Sequence, residues 1–221
     1  MTRASKPFTA MLPLAILAAG TASAGSYPPS EIVEWSERSF AGHTRYALVS
    51  PDGVDHAAVL AECREASASA LILEREHELA SAPVLEWRWR VENTHEGIDE
   101  TTKAGDDYPA RVYVVAERWP AFRSRAINYV WSSEQPRGSH WENAFASQFV
   151  MVAVRSGNEH AGEWKIERRD VAEDFRALHG FVPDTIDVLA IMTDCDNTGR
   201  PATARYGPMR WLAREARQGD G

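Results

Sequence analysis

Apolar and polar residues alternate along most of the chain, which is the pattern of a β-strand with one face buried and the other in water. In VLEWRWRVEN (84–93), Leu85, Trp87 and Trp89 share one face, and charged residues occupy the positions between them. Further segments rich in β-branched and aromatic residues cover 44–50, 69–79, 110–119, 127–133, 148–157, 162–171, 185–194 and 202–212. Strands are therefore predicted to dominate the fold.

One segment has the signature of a helix instead. DVAEDFRALHG (170–180) offers Asp170 as an N-terminal cap, has Glu173 three residues later, and ends at Gly180. A second, weaker helix is predicted over 55–66, although this alanine-rich run could equally lead into a strand.

These elements predict an all-β fold. About nine strands, one or two short helices and no β-α-β alternation indicate an antiparallel β-sandwich of jelly-roll type. It is predicted to form a single domain over residues 27–213, with a polar tail at 214–221. The residues predicted to face inward are Leu85, Trp87, Trp89, Val112, Val114, Val188 and Ala190.

The first 24 residues have the organisation of a secretory signal peptide. Arg3 and Lys6 precede an apolar run at 8–20, and Ala22-Ser23-Ala24 provides the small-residue cleavage site. We therefore expect a periplasmic or secreted protein. No later stretch approaches the roughly 18 apolar residues of a membrane span, so none is expected.

The net charge of the chain limits the classes of macromolecule it can bind. The chain carries a formal net charge of −8, and loss of the basic leader makes it more acidic. An acidic surface repels phosphate backbones, which disfavours nucleic acid as a partner.

The two cysteines leave two possibilities open. An oxidising compartment permits a disulfide between Cys63 and Cys195 if their Cα atoms lie within about 7 Å. Otherwise they are two buried thiols. A nucleophilic Cys195 is disfavoured, because the flanking Asp194 and Asp196 raise a thiol pKa and suppress the thiolate.

The segment MTDCDNTG (192–199) allows two interpretations. Asp194, Asp196 and Asn197, joined by Asp106 from AGDDYPAR, are candidate oxygen ligands for Ca²⁺. Alternatively, the Asp and Asn side chains bond their own backbone and Gly199 takes a positive φ, which makes a turn and requires no cofactor. Two acids in one loop are a weak metal signal, so the turn is favoured.

A candidate ligand-binding set surrounds the same loops. Arg111 either grips a ligand together with Asp107 and Asp194 or forms an ion pair that joins the two loops. The pair is the favoured interpretation. In both cases Asp106, Asp107, Arg111, Asp194, Asp196 and Asn197 are predicted to converge in space. Trp119 and Trp141 lie in turn-like contexts and are candidate platforms for sugar rings, whereas at least half of the eight tryptophans are expected in the core.

Several phrases together resemble the bacterial domain-of-unknown-function family 3047 (DUF3047). These are LEWRWRVEN, AGDDYPARVYVVAE, INYVWSS, DVAEDFRALHG and VLAIMTDCDNTGRPATARYG, which span about 35–211. The resemblance implies no mechanism. At the level of architecture it implies a galactose-binding-like jelly roll, a fold many of whose members bind carbohydrate, and fold alone does not determine function.

The sequence therefore favours a non-catalytic module that binds a glycan or another component of the cell envelope. No G-x-S-x-G, H-E-x-x-H or C-x-x-C motif is present, so no catalytic residue is assigned. The alternative is a carbohydrate-active enzyme, a glycoside hydrolase or lyase, that uses carboxylates of the 106–107 and 194–196 loops.

Overall fold

The computed structural model describes residues 25–215, so the predicted leader (1–24) and the end of the tail (216–221) lie outside the described residues. Within that range the alternating segments form strands of two sheets. The strands are β1 Ser26–Tyr27, β2 Ser36–Ala41, β3 Arg45–Val49, β4 Ala58–Cys63, β5 Ala68–Glu78, β6 Val84–Val91, β7 Ala110–Ala116, β8 Arg125–Ser132, β9 His140–Glu142, β10 Phe149–Ser156, β11 Lys165–Asp170, β12 Thr185–Asp194 and β13 Ala202–Leu212. The helices are α1 Pro29–Ile32 and α2 Val171–His179, with 3₁₀ turns at Lys103–Gly105 and Ala121–Arg123.

The two sheets confirm the predicted β-sandwich. The first has the order β11-β6-β13-β4-β3, with β1 also paired to β13, and the second has the order β2-β5-β12-β7-β8-β10-β9. The chain crosses repeatedly between them, as in jelly rolls. Within residues 25–215 every pairing is antiparallel except that of β8 with β10. This exception arises because the chain leaves β8, forms β9 at the sheet edge, and returns through β10 between them.

Aromatic side chains fill the space between the sheets. Trp87 of β6 stacks on Tyr129 of β8 with ring centroids 5.3 Å apart, and Trp89 meets Trp131 at 5.9 Å. Each such pair contributes about 0.5–1.5 kcal/mol beyond the burial of its area. Five of the eight tryptophans are buried, which agrees with the expectation that most serve the core: Trp35, Trp87, Trp89, Trp131 and Trp211.

The predicted inward face of β12 is wrong. Leu189 and Ile191 belong to the main core cluster, whereas Val188 and Ala190 do not. The pairing of β12 with β5 shifts between Ile186 and Val188, where β5 has one residue more than β12. Residues 188–192 are all apolar, so the pattern does not determine which alternate positions face the core.

Of the two predicted helices, the one at 170–180 is confirmed and the one at 55–66 is wrong. At α2 the Asp170 carboxylate accepts a hydrogen bond from the Glu173 amide, and Gly180 ends the helix at φ 75°, as expected. The alternative helix over 55–66 is wrong, because β4 lies there, paired with β3 and β13. Pairing on both sides outweighs the helix propensity of its alanines. No helix among residues 25–215 is long and apolar enough to cross a membrane.

A disulfide joins the sheets. Cys63 ends β4 in the first sheet, and Cys195 directly follows β12 in the second, with their Cα atoms 6.0 Å apart. Of the two possibilities left open by the sequence, the structure therefore shows the disulfide.

Replacing both cysteines by alanine is expected to lower the free energy of unfolding by about 2–5 kcal/mol, because the bond restricts the unfolded chain. Urea unfolding with and without a thiol reductant measures this. Reductant should lower the stability of the parent protein and leave the double variant unchanged. Equal stability of the two oxidised proteins would show that the bond contributes nothing.

Candidate functional site

The predicted cluster forms where β7 begins and β12 ends. These strands are antiparallel neighbours, and Arg111 is paired in register with Met192. The start of one strand therefore lies beside the end of the other, which brings the 106–107 and 194–197 loops together. The predicted convergence of these two loops is confirmed.

Arg111 and Asp194 form a buried ion pair. The Arg111 Nε donates to Asp194 Oδ1 at 2.8 Å, and its Nη2 donates to Asp194 Oδ2. The same Nη2 donates to the backbone oxygen of Asp106 at 2.5 Å, and the guanidinium lies over the Tyr108 ring, 4.2 Å from its centroid. Arg111 is only 3% exposed and Asp194 only 1%. Arg111 therefore forms the ion pair that joins the two loops, which is the interpretation that the sequence favours.

Burial and neighbouring charges set the protonation of this pair. Complete burial raises the pKa of Asp194 well above its ordinary value, assisted by the carboxylates of Asp107 and Asp106 and opposed by Arg111. Burial alone would lower the pKa of Arg111, but the neighbouring acidic groups, of which Asp194 has the largest effect, together raise that pKa well above its usual value. Partial burial, with the Asp107 carboxylate, also raises the pKa of Asp196.

Asp107 anchors the 195–199 turn. Its carboxylate accepts the backbone amide of Asn197 at 3.1 Å, the Asn197 side-chain amide at 3.2 Å, and the backbone amide of Thr198 at 2.5 Å. The Gly199 amide closes the turn on the oxygen of Cys195 at 3.0 Å, and Gly199 has a φ of 66°. The positive φ is the one expected of a turn, but the side chain that accepts its backbone amides is Asp107 of the other loop and not the turn's own Asp or Asn.

Most carboxylates of this cluster already have hydrogen-bond partners within the protein. One oxygen each from Asp107, Asp194 and Asp196 lies within 4.8 Å of the others, which would suit a small cation. However, Asp194 is already engaged by a guanidinium, and Asp107 by three N–H donors. The Asn197 amide donates to Asp107, and the Asp106 carboxylate accepts from Asn143. Of the predicted ligands, Asp106, Asp194 and Asn197 therefore already have partners in the protein, and a metal ion here remains a prediction.

A pocket of about 410 Å³ opens beside the ion pair, on the outer face of the second sheet. Arg111, Tyr113, Asn128 and Met192 line it from the strands, and Asp196 lies at its edge. Phe40 and Phe145 also line it, and they are 62% and 58% exposed. The pocket therefore combines exposed aromatic rings with buried polar groups.

Asparagines organise the floor and one wall. Asn143 donates to both carboxylate oxygens of Asp106 at 2.9 and 3.1 Å and accepts the backbone amides of Phe145 and Ala146, which positions the Phe145 ring. Asn128 is 1% exposed, and its Oδ1 has no hydrogen-bond partner among residues 25–215. A buried amide oxygen without a donor is costly, and such groups often mark a ligand site.

The two candidate tryptophans lie elsewhere. Trp141 in β9 is half-buried, packs against Tyr108, and donates its indole N–H to the oxygen of Glu100 at 3.3 Å. It therefore supports the wall behind the pocket. Trp119 is exposed but follows the far end of β7, away from Arg111. The structure does not bring either residue into the pocket lining.

Several pocket residues were missed in the sequence: Phe40, Tyr113, Asn128, Asn143 and Phe145. Asn128 carried a usable signal, because a lone amide in the apolar strand INYVW is unusual. Phe40 lies in the polar strand β2, and Phe145 in a loop, where no periodicity indicates their position.

Comparisons with known proteins give a family and a fold likeness. The profile of the family described as "Protein of unknown function (DUF3047)" matches residues 33–210. No curated protein sequence matches the chain.

Solved structures of similar shape include two carbohydrate-binding modules from Clostridium thermocellum. The family 30 module of cellulosomal cellulase Cel9D-Cel44B has 12% identity and a TM-score of 0.46, over 84% of this chain and 94% of that one. The family 11 module of Lic26A-Cel5E has 8% identity and a TM-score of 0.47, over 84% and 91%. Trichoderma harzianum endoglucanase 3 has 8% identity and a TM-score of 0.41, over 82% and 98%. Identities this low transfer no binding residue to this chain.

Replacing Arg111 by Leu is expected to cost about 3–5 kcal/mol at neutral pH, because Asp194 is left buried without a counter-charge. The folded-state pKa of Asp194 is already raised above its usual 3.8, so the variant should lose stability as the pH rises above that value and regain it as the pH falls. Urea unfolding across pH measures this. The Arg111→Leu/Asp194→Leu double variant is the control and should lack the pH slope; a single variant that unfolds like the parent would contradict the role of the pair.

Ca²⁺ and EDTA are both expected to leave the melting temperature unchanged. A bound ion at a hundredfold excess over Kd would add about 2.7 kcal/mol, or several degrees. Gly199→Val should instead destabilise the turn by about 1–2 kcal/mol, since a branched residue resists positive φ. A Ca²⁺-dependent rise that Asp196→Asn abolishes would establish the metal site instead.

Proposed function

Because the chain belongs to the DUF3047 family, whose description assigns no activity, we propose its function from the pocket: the protein is a non-catalytic module that binds carbohydrate. The observation that carries this proposal is the pairing of exposed Phe40 and Phe145 with a polar floor. The volume lies within the range of roughly 300–1,000 Å³ that is usual for small-ligand sites.

Sugar rings suit both the aromatic side chains and the polar groups of this lining. Their C–H faces pack on the electron-rich faces of aromatic rings, and phenylalanine supplies such a face without a polar group of its own. Their hydroxyls both donate and accept, and the floor offers both kinds of partner. A ligand hydroxyl at Asn128 would supply the donor that its amide oxygen lacks.

The carboxylates favour binding over hydrolysis. Glycoside hydrolysis by the common mechanisms uses two carboxyl groups, one of them as a proton donor. Asp194 is held by Arg111, and Asp106 by Asn143. Among residues 25–215 Asp196 accepts only the side-chain amide of Asn197, at 3.2 Å, and its raised pKa would suit a proton donor, but its second acid is then missing from the pocket.

The disulfide supports a location in the periplasm or outside the cell. Disulfides form and persist in oxidising compartments and are rare in the cytosol. This agrees with the signal peptide expected from the sequence, and glycans are abundant partners in that location.

Binding is tested on an array of gluco-, galacto- and xylo-configured oligosaccharides, followed by calorimetry with the best probe. Phe145→Ala is expected to weaken binding about fivefold or more, the effect of losing a contact worth at least about 1 kcal/mol. Ile166→Ala removes an equally exposed apolar side chain from β11 and should have no effect. Binding to no oligosaccharide, or equal loss in both variants, would overturn the proposal.

A second variant separates binding from folding. Asn128→Leu should leave the free energy of unfolding unchanged or raise it, since within residues 25–215 the buried amide oxygen has no donor and the amide nitrogen donates only to the Met151 sulfur, and an apolar group of similar size replaces them. It should nevertheless weaken sugar binding. A hydrolysis assay on the same probes completes the test: turnover that Asp196→Asn abolishes would assign the protein to the enzymes.

A further inference from the structure

The loop between β7 and β8 carries an exposed apolar tip. Its sequence is ERWPAFRSR (117–125), and its four central residues are all apolar. Trp119 is 90% exposed and Phe122 is 71% exposed, more than any other large apolar side chain of residues 25–215. Exposed aromatic side chains of this size, adjacent in one loop, mark an interaction surface.

Arginines surround this tip. Arg118, Arg123 and Arg125 line a shallow cavity of about 620 Å³ together with His179 and Phe181 from the end of α2. In a chain with a net charge of −8, three arginines in eight residues form a local positive patch. None of the three lies within 4.0 Å of a carboxylate in the described part of the chain. The acids nearby are Glu117 at the loop start and Asp187, whose carboxylate accepts the Glu117 amide.

The loop is held in place before any partner binds. The Arg125 Nη1 donates to three successive loop carbonyls, those of Phe122, Arg123 and Ser124, at 3.0–3.2 Å. The Arg118 guanidinium stacks on the Phe181 ring, 3.9 Å from its centroid. An ordered loop loses little conformational entropy on docking, which favours binding.

We propose that this loop docks the protein on an anionic lipid surface. Trp119 enters the headgroup region, where amphipathic aromatic rings are favoured, Phe122 is buried beside it as an apolar side chain, and the arginines pair with lipid phosphates. Anionic membranes attract a segment that combines basic side chains with an apolar tip. Each arginine near the surface contributes about a fivefold gain in partitioning of the protein onto the membrane.

The lining of the cavity distinguishes a lipid surface from a sugar or a free phosphate. Its side chains are donors and aromatic rings, with no carboxylate or amide to accept a sugar hydroxyl. A free phosphate would use the arginines and leave Trp119 and Phe122 without a partner. A lipid surface alone uses both features.

Docking here leaves the proposed sugar pocket open. Arg111 is the second residue of β7 and the loop follows the end of that strand, a separation of roughly 20 Å over six residue steps. The inference therefore does not depend on the proposed carbohydrate binding, and each can fail without the other.

The test is sedimentation of the purified protein with vesicles of phosphatidylcholine alone or mixed with phosphatidylglycerol in equal parts. Binding should require phosphatidylglycerol. The double variant Trp119→Ala/Phe122→Ala should weaken vesicle binding more than tenfold. The double variant Arg118→Gln/Arg123→Gln should weaken vesicle binding about fivefold for each arginine removed. The control is Leu48→Ser/Arg64→Gln, which removes an exposed apolar residue and an exposed arginine from the first sheet and should bind like the parent.

A spectroscopic arm checks insertion directly. Vesicles with phosphatidylglycerol should shift tryptophan emission to the blue, and Trp119→Phe should remove that shift while binding persists. No sedimentation with either vesicle would overturn the proposal. Binding that depends on the arginines but not on Trp119 and Phe122, and that inorganic phosphate competes away, would assign an anion site instead.

Discussion

The buried ion pair of Arg111 and Asp194 is the contact on which this end of the sandwich depends. It joins the first residues of β7 to the last of β12, and the same guanidinium holds the Asp106 carbonyl and covers the Tyr108 ring. A charge removed from water at this depth is tolerated only with its partner in place. The two loops are therefore constrained to one arrangement, and the pocket beside them has a fixed floor.

Structural and binding roles overlap in this region. The carboxylates that first suggest a metal or a catalytic pair are mostly used to hold loops: Asp194 holds Arg111, Asp107 holds the 195–199 turn, and Asp106 holds Asn143. Asn143 in turn positions Phe145 at the pocket mouth. What remains available to a ligand in the described part of the chain is the exposed rings of Phe40 and Phe145 and the unpartnered amide oxygen of Asn128, which suits recognition better than bond cleavage.

Much of this organisation was accessible from the sequence, for physical reasons that also explain the failures. Alternation located the strands with one buried face, and the capping residues located α2. The convergence of Arg111 with Asp194 followed from where these residues lie relative to strand ends. The prediction for Val188 is wrong because residues 188–192 are all apolar and show no alternation that identifies the buried face. The pocket side chains Phe40 and Phe145 come from an exposed edge strand and a loop, so only tertiary contacts reveal them.

The disulfide determines how proteolytic cleavage of this protein would appear on a gel. Cys63 and Cys195 enclose a covalent ring in which 132 positions separate the two residues, and the exposed turn near Asn158 lies inside it. A protease that cuts once within this ring opens the chain but releases no fragment, since both pieces stay attached through sulfur. Nicked and intact molecules would then migrate together on a denaturing gel until the sample is reduced.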